Sequence, residues 1–145
     1  MLTPPLLHDE IMSLIPHQGA MSLLDRAVLW DFSRILCETE RHHDPANPLR
    51  RDGILPAVCG VEFALQAMAL HGALTSGAPQ PVGFVSSLRD LALHVDRLDD
   101  LAEPLSVEAT ALVAEASGFI YRFGISAAER LLIAGQAAII LQRPA

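Results

Sequence analysis

The chain has 145 residues, a formal net charge of −7, ten arginines and no lysine. That length suits a single domain over residues 1–145, large enough to bury a core without disulfides or metals. The negative balance argues against nucleic acid as a main partner, which needs a basic footprint, and the lack of lysine excludes Schiff-base chemistry on a side chain.

At the N-terminus, Met1 to Leu7 has no basic stretch ahead of an apolar one, so no secretory signal is expected and a cytoplasmic protein is the default. Leu7 to Ile15 predicts a short helix that Pro16 stops. Ser22 to Arg41, rich in Leu, Val, Ile and Trp, predicts two strands joined by a hairpin turn at Asp31-Phe32-Ser33. Within it, Asp25 and Arg26 are expected to pair with each other or to cap a turn. His42 to Leu55 carries prolines, a glycine and charges, and predicts an irregular loop.

Pro56 opens the most informative segment, since proline is favoured in the first turn of a helix. Ala57 to His71 predicts a helix built on Val58, Val61, Ala64, Leu65, Met68 and Ala69. Apolar residues lie on nearly every side of it, which is the mark of a buried helix. Gly72, with Gly77 and Pro79 beyond, is expected to end it. The longest weakly polar stretch, Leu55 to Leu70, is broken by Glu62 and Gln66, so no membrane span is expected.

Four strands follow. Val82 to Asp96 predicts one long strand with room for a bulge. Leu105 to Ala114 alternates, with Ser106, Glu108 and Thr110 on one face and Val107, Ala109 and Ala111 on the other. Phe119 to Ser126 puts Phe119, Tyr121, Phe123 and Ile125 opposite Arg122, and Arg130 to Gln142 closes the sheet. A helix apolar all round needs a sheet that wraps it. The predicted class is therefore α+β: a curved antiparallel β-sheet wrapped around one long central helix, the hot-dog fold. Its free edges are expected to pair across a dimer, either a homodimer or a heterodimer.

Cys37 and Cys59 are far apart and in apolar contexts, and are read as buried free thiols. None of the six histidines falls in an HExxH or paired helical spacing, so no metal and no other cofactor is expected.

Two segments resemble a known family. Ile15-Pro-His-Gln-Gly-Ala-Met-Ser-Leu-Leu-Asp-Arg26 is similar to the N-terminal segment of bacterial 3-hydroxyacyl-ACP dehydratases. Pro56-Ala-Val-Cys-Gly-Val-Glu62-Phe-Ala-Leu-Gln66 resembles their central helix, with an acid six residues after Pro56 and a glutamine four residues after the acid. Gly83-Phe-Val, Leu88-Arg-Asp-Leu91 and His94-Val-Asp-Arg97 resemble the subgroup associated with aryl-polyene gene clusters. One departure stands out: the housekeeping members carry a catalytic histidine eight residues before the helix-opening proline, where this chain has Pro48.

The resemblance implies dehydration of a 3-hydroxyacyl thioester, carried on acyl carrier protein or coenzyme A, to the trans-2-enoyl thioester. Glu62 is the candidate acid; on a buried helix a carboxyl is held toward its neutral form and suits proton transfer. Backbone N–H groups from Ala57 to Gly60, at the positive end of the helix, are candidates to polarise the thioester carbonyl. Gln66, one turn after Glu62, either orients the carboxyl or makes a structural hydrogen bond. For the base, His17 is the first candidate and His43, in the loop before the helix, the second. His71 and His94 are expected to be structural and His8 to lie at the surface. Arg50, Arg51 and Arg89 are candidate contacts for an acidic carrier or a pantetheine phosphate. His17 and Glu62 could meet across subunits. Two rival readings remain open: a thioesterase on the same fold, and a non-catalytic partner subunit that binds acyl carriers.

Overall fold

The computed structural model describes residues 2–141. Seven strands and two helices follow one another as β1 (Leu6–Leu7), α1 (His8–Met12), β2 (Arg26–Trp30), β3 (Arg34–Thr39), α2 (Gly60–Ser76), β4 (Gly83–Leu93), β5 (Leu105–Glu115), β6 (Gly118–Ala127) and β7 (Arg130–Leu141). The strands form one sheet in the order β1-β2-β3-β5-β6-β7-β4, antiparallel throughout. Helix α2 lies across its concave face, against β3, β5 and β6. This is the hot-dog architecture that the pattern of elements predicts.

The alternation of β5 and β6 decides which side of the sheet meets the helix. Val107, Ala109, Tyr121, Phe123 and Ile125 are buried against Phe63, Ala64, Ala67, Met68 and Leu70 of α2. Burying each of the large side chains among these contributes about 1.5–3 kcal/mol. At Gly60 the helix packs tightly on the sheet: a Cβ there would lie 2.4 Å from Ile133 Cδ1. The Asp31 turn between β2 and β3 is set by its own carboxylate, which accepts the N–H groups of Ser33 and Arg34 at 2.8 and 2.9 Å.

Several expectations need adjustment. The N-terminal helix is shorter than predicted because Leu7 pairs with Arg26 in β1, a strand the sequence reading did not separate. Helix α2 does not stop at Gly72. It runs to Ser76 and is closed by Gly77 in the left-handed conformation, with a 3-10 turn over Ala57–Cys59 ahead of it. Asp25 and Arg26 do not pair with each other: Asp25 meets Arg41 at 2.8 Å and Arg26 meets Glu38 at 3.5 Å. Adjacent residues of an extended chain point to opposite faces, which separates them. Gln142, the expected end of the last strand, lies outside the described residues.

The run from Ala57 to Ser76 is long and apolar enough to cross a membrane, contrary to the expectation that no run is; 67% of its most apolar window is buried inside the protein. Strand β4 is bulged, as expected, with register shifts between Val85 and Ser87 and between Arg89 and Ala92. It is an edge strand: β7 is its neighbour on one side, and Phe84, Val85, Leu88, Leu91 and Leu93 are all exposed.

Candidate active site

The start of the central helix is clamped before the helix begins. Leu55 donates its N–H to Asp99 Oδ1 at 2.8 Å, Leu98 donates back to the Leu55 carbonyl at 2.9 Å, and Ala57 donates to the Asp96 carbonyl at 3.0 Å. Asp99 is itself held by the Arg97 guanidinium, whose hydrogen bonds keep its carboxyl far below the ordinary carboxylate range. With the chain fixed there, the first turn of α2 places Glu62 at the positive end of the helix.

Glu62 is not sealed in the core, as the apolar surroundings of its helix suggest. Glu62, Leu65 and Ala69 are partly exposed while their neighbours are buried. With spacings of three and four residues they form one stripe along the helix. That stripe is one wall of an open cleft. Pro16, His17, Gln80, Pro81, Val85, Phe119 and Ile139 contribute the other walls.

His17 reaches the cleft on the segment between α1 and β2. Gln18 closes the end of α1 by donating its side-chain amide to the carbonyls of Met12 and Ile15. Gln66 then ties this segment to α2. It is wholly buried, its Oε1 accepts the Leu23 N–H at 2.8 Å, and its Nε2 donates to the Met21 carbonyl at 2.7 Å. A longer contact of 3.4 Å joins the same nitrogen to Glu62 Oε1. The result is that His17 Nε2 lies 3.3 Å from Glu62 Oε1, both side chains being a little over a quarter exposed. The contact forms within a single chain. The other ring nitrogen, Nδ1, is buried without a partner among the described residues.

The remaining candidates separate from this pair. Ala57 is buried and its N–H is already donated to Asp96, so it is not available to a thioester oxygen. Gly60 faces Ile133 and Ile125 of the sheet, and its N–H bonds back to the Ala57 carbonyl. Gln66 is a pin that places both members of the pair. His43 is exposed and stacks edge-on against His42, away from the cleft lining. Pro48 is exposed in the same loop and no histidine replaces it there.

Other histidines have structural work. His71 Nε2 faces the Asp31 carbonyl at 2.8 Å, and a carbonyl can only accept, so this nitrogen carries the proton. Nδ1 then accepts from the Tyr121 hydroxyl at 2.7 Å. Burial is the main cause that lowers the His71 pKa and keeps the ring neutral. His42 is buried against the Leu101 carbonyl, and burial likewise lowers its pKa. His8 is half-buried against the Leu24 carbonyl, and His94 is exposed beyond β4.

Cys37 is buried, and desolvation pushes its thiol up to about 12, while Cys59 is only half-buried, in part a departure from expectation. Arg50 is bound to the carbonyls of its own loop, Arg51 is exposed beside Ile54, and Arg89 lies beside Gln136 on the outer face of the sheet. Among the described residues, no three His, Cys, Asp or Glu side chains gather as metal ligands would. Sequence reasoning missed Gln80, Phe119 and Ile139 as cleft residues. The only signal was the outward break after the helix at Pro79-Gln80-Pro81.

The family described as ApeP-like, ApeP dehydratase, matches residues 9–144 of the sequence. Among solved structures the chain is similar to the dehydratase heterocomplex ApeI:P from Xenorhabdus doucetiae, with a TM-score of 0.81 and 17% identity over 92% of this chain and 91% of that one. It is similar to an HP0420 homologue from Helicobacter felis, with a TM-score of 0.62 and 16% identity over 92% and 88% of the two chains. A mutant of thioesterase PA1618 from Pseudomonas aeruginosa is also similar, with a TM-score of 0.55 and 14% identity over 81% of each chain. At such identities the structural likenesses establish the fold alone. No curated protein matches the sequence. The family match covers all but the first eight residues and the last, and on that ground the chain belongs to the ApeP-like family of dehydratases.

Proposed function

We propose that the protein dehydrates 3-hydroxyacyl thioesters, with His17 as base and Glu62 as acid. The observation that carries this reading is the contact of 3.3 Å between His17 Nε2 and Glu62 Oε1 at the wall of an apolar cleft. Elimination removes a proton from C2 and a hydroxyl from C3, two adjacent carbons. An imidazole and a carboxyl in contact can address both at once. His17 takes the C2 proton, and Glu62 in its protonated form gives a proton to the leaving hydroxyl, which departs as water. The imidazolium and carboxylate left behind are again in contact, so the proton passes from one to the other and the pair is reset. General acid–base catalysis of this kind contributes about 10²–10⁴-fold.

The acyl tail would lie along the stripe of Leu65 and Ala69, opposite Phe119 and Ile139. A carrier protein or coenzyme A would present the thioester at the mouth beside Pro16 and His17. A second hot-dog subunit, identical or related, would pair with the exposed edge of β4. The existence of a heterocomplex among similar structures supports a related partner as readily as an identical one. Because Gly83 and Val85 of β4 also line the cleft, such pairing would complete its wall.

Mass spectrometry of a 3-hydroxyacyl carrier protein, after incubation with the purified protein, tests the reading. Loss of one water from the intact thioester is expected. Release of free acid would establish a thioesterase instead, and an unchanged substrate with retained binding would establish a non-catalytic acyl-binding subunit.

A further inference from the structure

The outer face of the sheet, on the far side from α2, carries a row of cations that the proposed chemistry does not use. The ladder sets Arg34 beside Thr110, Thr110 beside Arg122, Arg122 beside Gln136, and Gln136 beside Arg89. Cross-strand partners share a face, so these side chains form one row over β3, β5, β6, β7 and β4. Tyr121 and Phe123, on either side of Arg122, are buried in the core, which puts the row outside. Arg34 is engaged by Glu108 at 3.0 Å. Arg89 and Arg122 are exposed, and among the described residues neither makes an ion pair. They stand two strands apart, about 10 Å, with Gln136 between them.

Like charges on one face repel. This chain has 17 acidic side chains for its ten arginines, yet among the described residues none is set against these two. Beside the row runs an apolar strip. Ile120 and Ala138 pair with each other, Ile120 pairs with Val113, and Ile140 pairs with Phe84. Val113, Ile140 and Phe84 are exposed, and Ile120 and Ala138 meet Arg89 and Gln136 in one depression.

We propose that this face docks an acidic amphipathic helix of a partner protein, with its carboxylates on Arg89 and Arg122 and its apolar flank on Val113, Ile120 and Ile140. Carboxylates seven residues apart on a helix lie on one side and about 10.5 Å apart, which matches the two arginines. The helix does not come from a second copy of the described residues: α2 is buried in its own fold and α1 has 5 residues. Two free cations are too few for an anionic membrane, whose recognition takes about four to eight. A net charge of −7 opposes nucleic acid. The face lies behind the cleft and stays open when a second subunit pairs along the edge of β4, so the proposal stands apart from the cleft's chemistry.

The test is fluorescence anisotropy of the full chain with a labelled helical peptide of about 18 residues, long enough to span both arginines. It carries glutamates at a spacing of seven on one flank and leucines on the next; a scrambled peptide of the same composition is the control. The patterned peptide is expected to bind, more weakly as salt is raised. Arg89→Glu with Arg122→Glu should weaken binding about tenfold or more, since two ion pairs are lost. Arg89→Gln with Arg122→Gln should lower it in the same direction if the charge reversal unfolds the chain. Arg130→Glu, the same charge change at the turn between β6 and β7, should leave it unchanged. No binding at low salt, equal binding of the scrambled peptide, or an equal loss in Arg130→Glu would overturn the proposal. Phosphatidylserine vesicles that bind more tightly than the peptide, and lose binding with the same two arginines, would assign the face to a membrane and overturn it as well.

Discussion

At the scale of single residues, the site depends on groups that hold other groups. Asp99 is the clearest case. Its carboxylate accepts the Leu55 N–H and is held by Arg97, and it fixes the chain one turn ahead of the helix that carries Glu62. Removing it leaves the Leu55 donor and the guanidinium unmatched, so Asp99→Ala should cost about 1–3 kcal/mol of stability. The folded-state pKa of Asp99 is lowered from 3.8, first by the Arg97 hydrogen bond. The stabilisation is thus fully present above the unfolded value near 3.8 and lost as pH falls through the folded one. Denaturant midpoints at pH 7 and pH 3 should show the gap between wild type and variant narrowing in acid. None of this was legible in the sequence, because Leu55 and Asp99 are brought together only by the return of the chain after β4. Glu62 and His17 were legible, since each lies in a segment with a family resemblance. Their contact was not, because it depends on Gln66 tying Met21 and Leu23 to the helix.

At the scale of elements, periodicity in the sequence was informative wherever one face of an element meets the core. The alternation of β5 and β6 set Val107 apart from Ser106 and Glu108, and Tyr121 and Phe123 apart from Arg122, and the apolar faces so separated are the ones buried in the core. It failed at the helix end, where Gly72 was read as a stop although it is an interior residue; its lack of a side chain accommodates Gln80 and costs the helix about 1 kcal/mol relative to alanine. Gly60 was read as one of the backbone donors to the thioester carbonyl, and the structure gives it tight packing against the sheet instead. Gly60→Ala would drive a methyl into Ile133 Cδ1, 2.4 Å away. Overpacking of this kind typically costs about 1–3 kcal/mol, and a thermal melt should show it, with loss of activity following if the helix shifts outward and carries Glu62 from His17.

At the scale of the whole molecule, the fold was legible as a count: one apolar helix and enough strands to wrap it. What the sequence concealed is the exposure of β4, whose apolar residues are open to solvent because the strand lies at the edge of the sheet. Phe84, Val85, Leu88 and Leu93 on an unpaired edge make a surface suited to a second subunit. Replacing Phe84 and Leu88 together with lysine should block strand pairing. Analytical ultracentrifugation should find wild type as an assembly larger than its 15.6 kDa chain and the double variant as a monomer with reduced turnover. A monomeric wild type with full activity would show that one chain suffices.

The central claim is that His17 and Glu62 act as one proton-transferring unit. Its most direct test is single-turnover dehydration of a 3-hydroxyacyl thioester by wild type, His17→Ala, Glu62→Gln and the double variant, with thermal melts showing that all are folded. The account predicts a loss of about 10²–10⁴-fold in each single variant and little further loss in the double, because groups that act together are not additive. Near-wild-type rates in either folded single variant would contradict it.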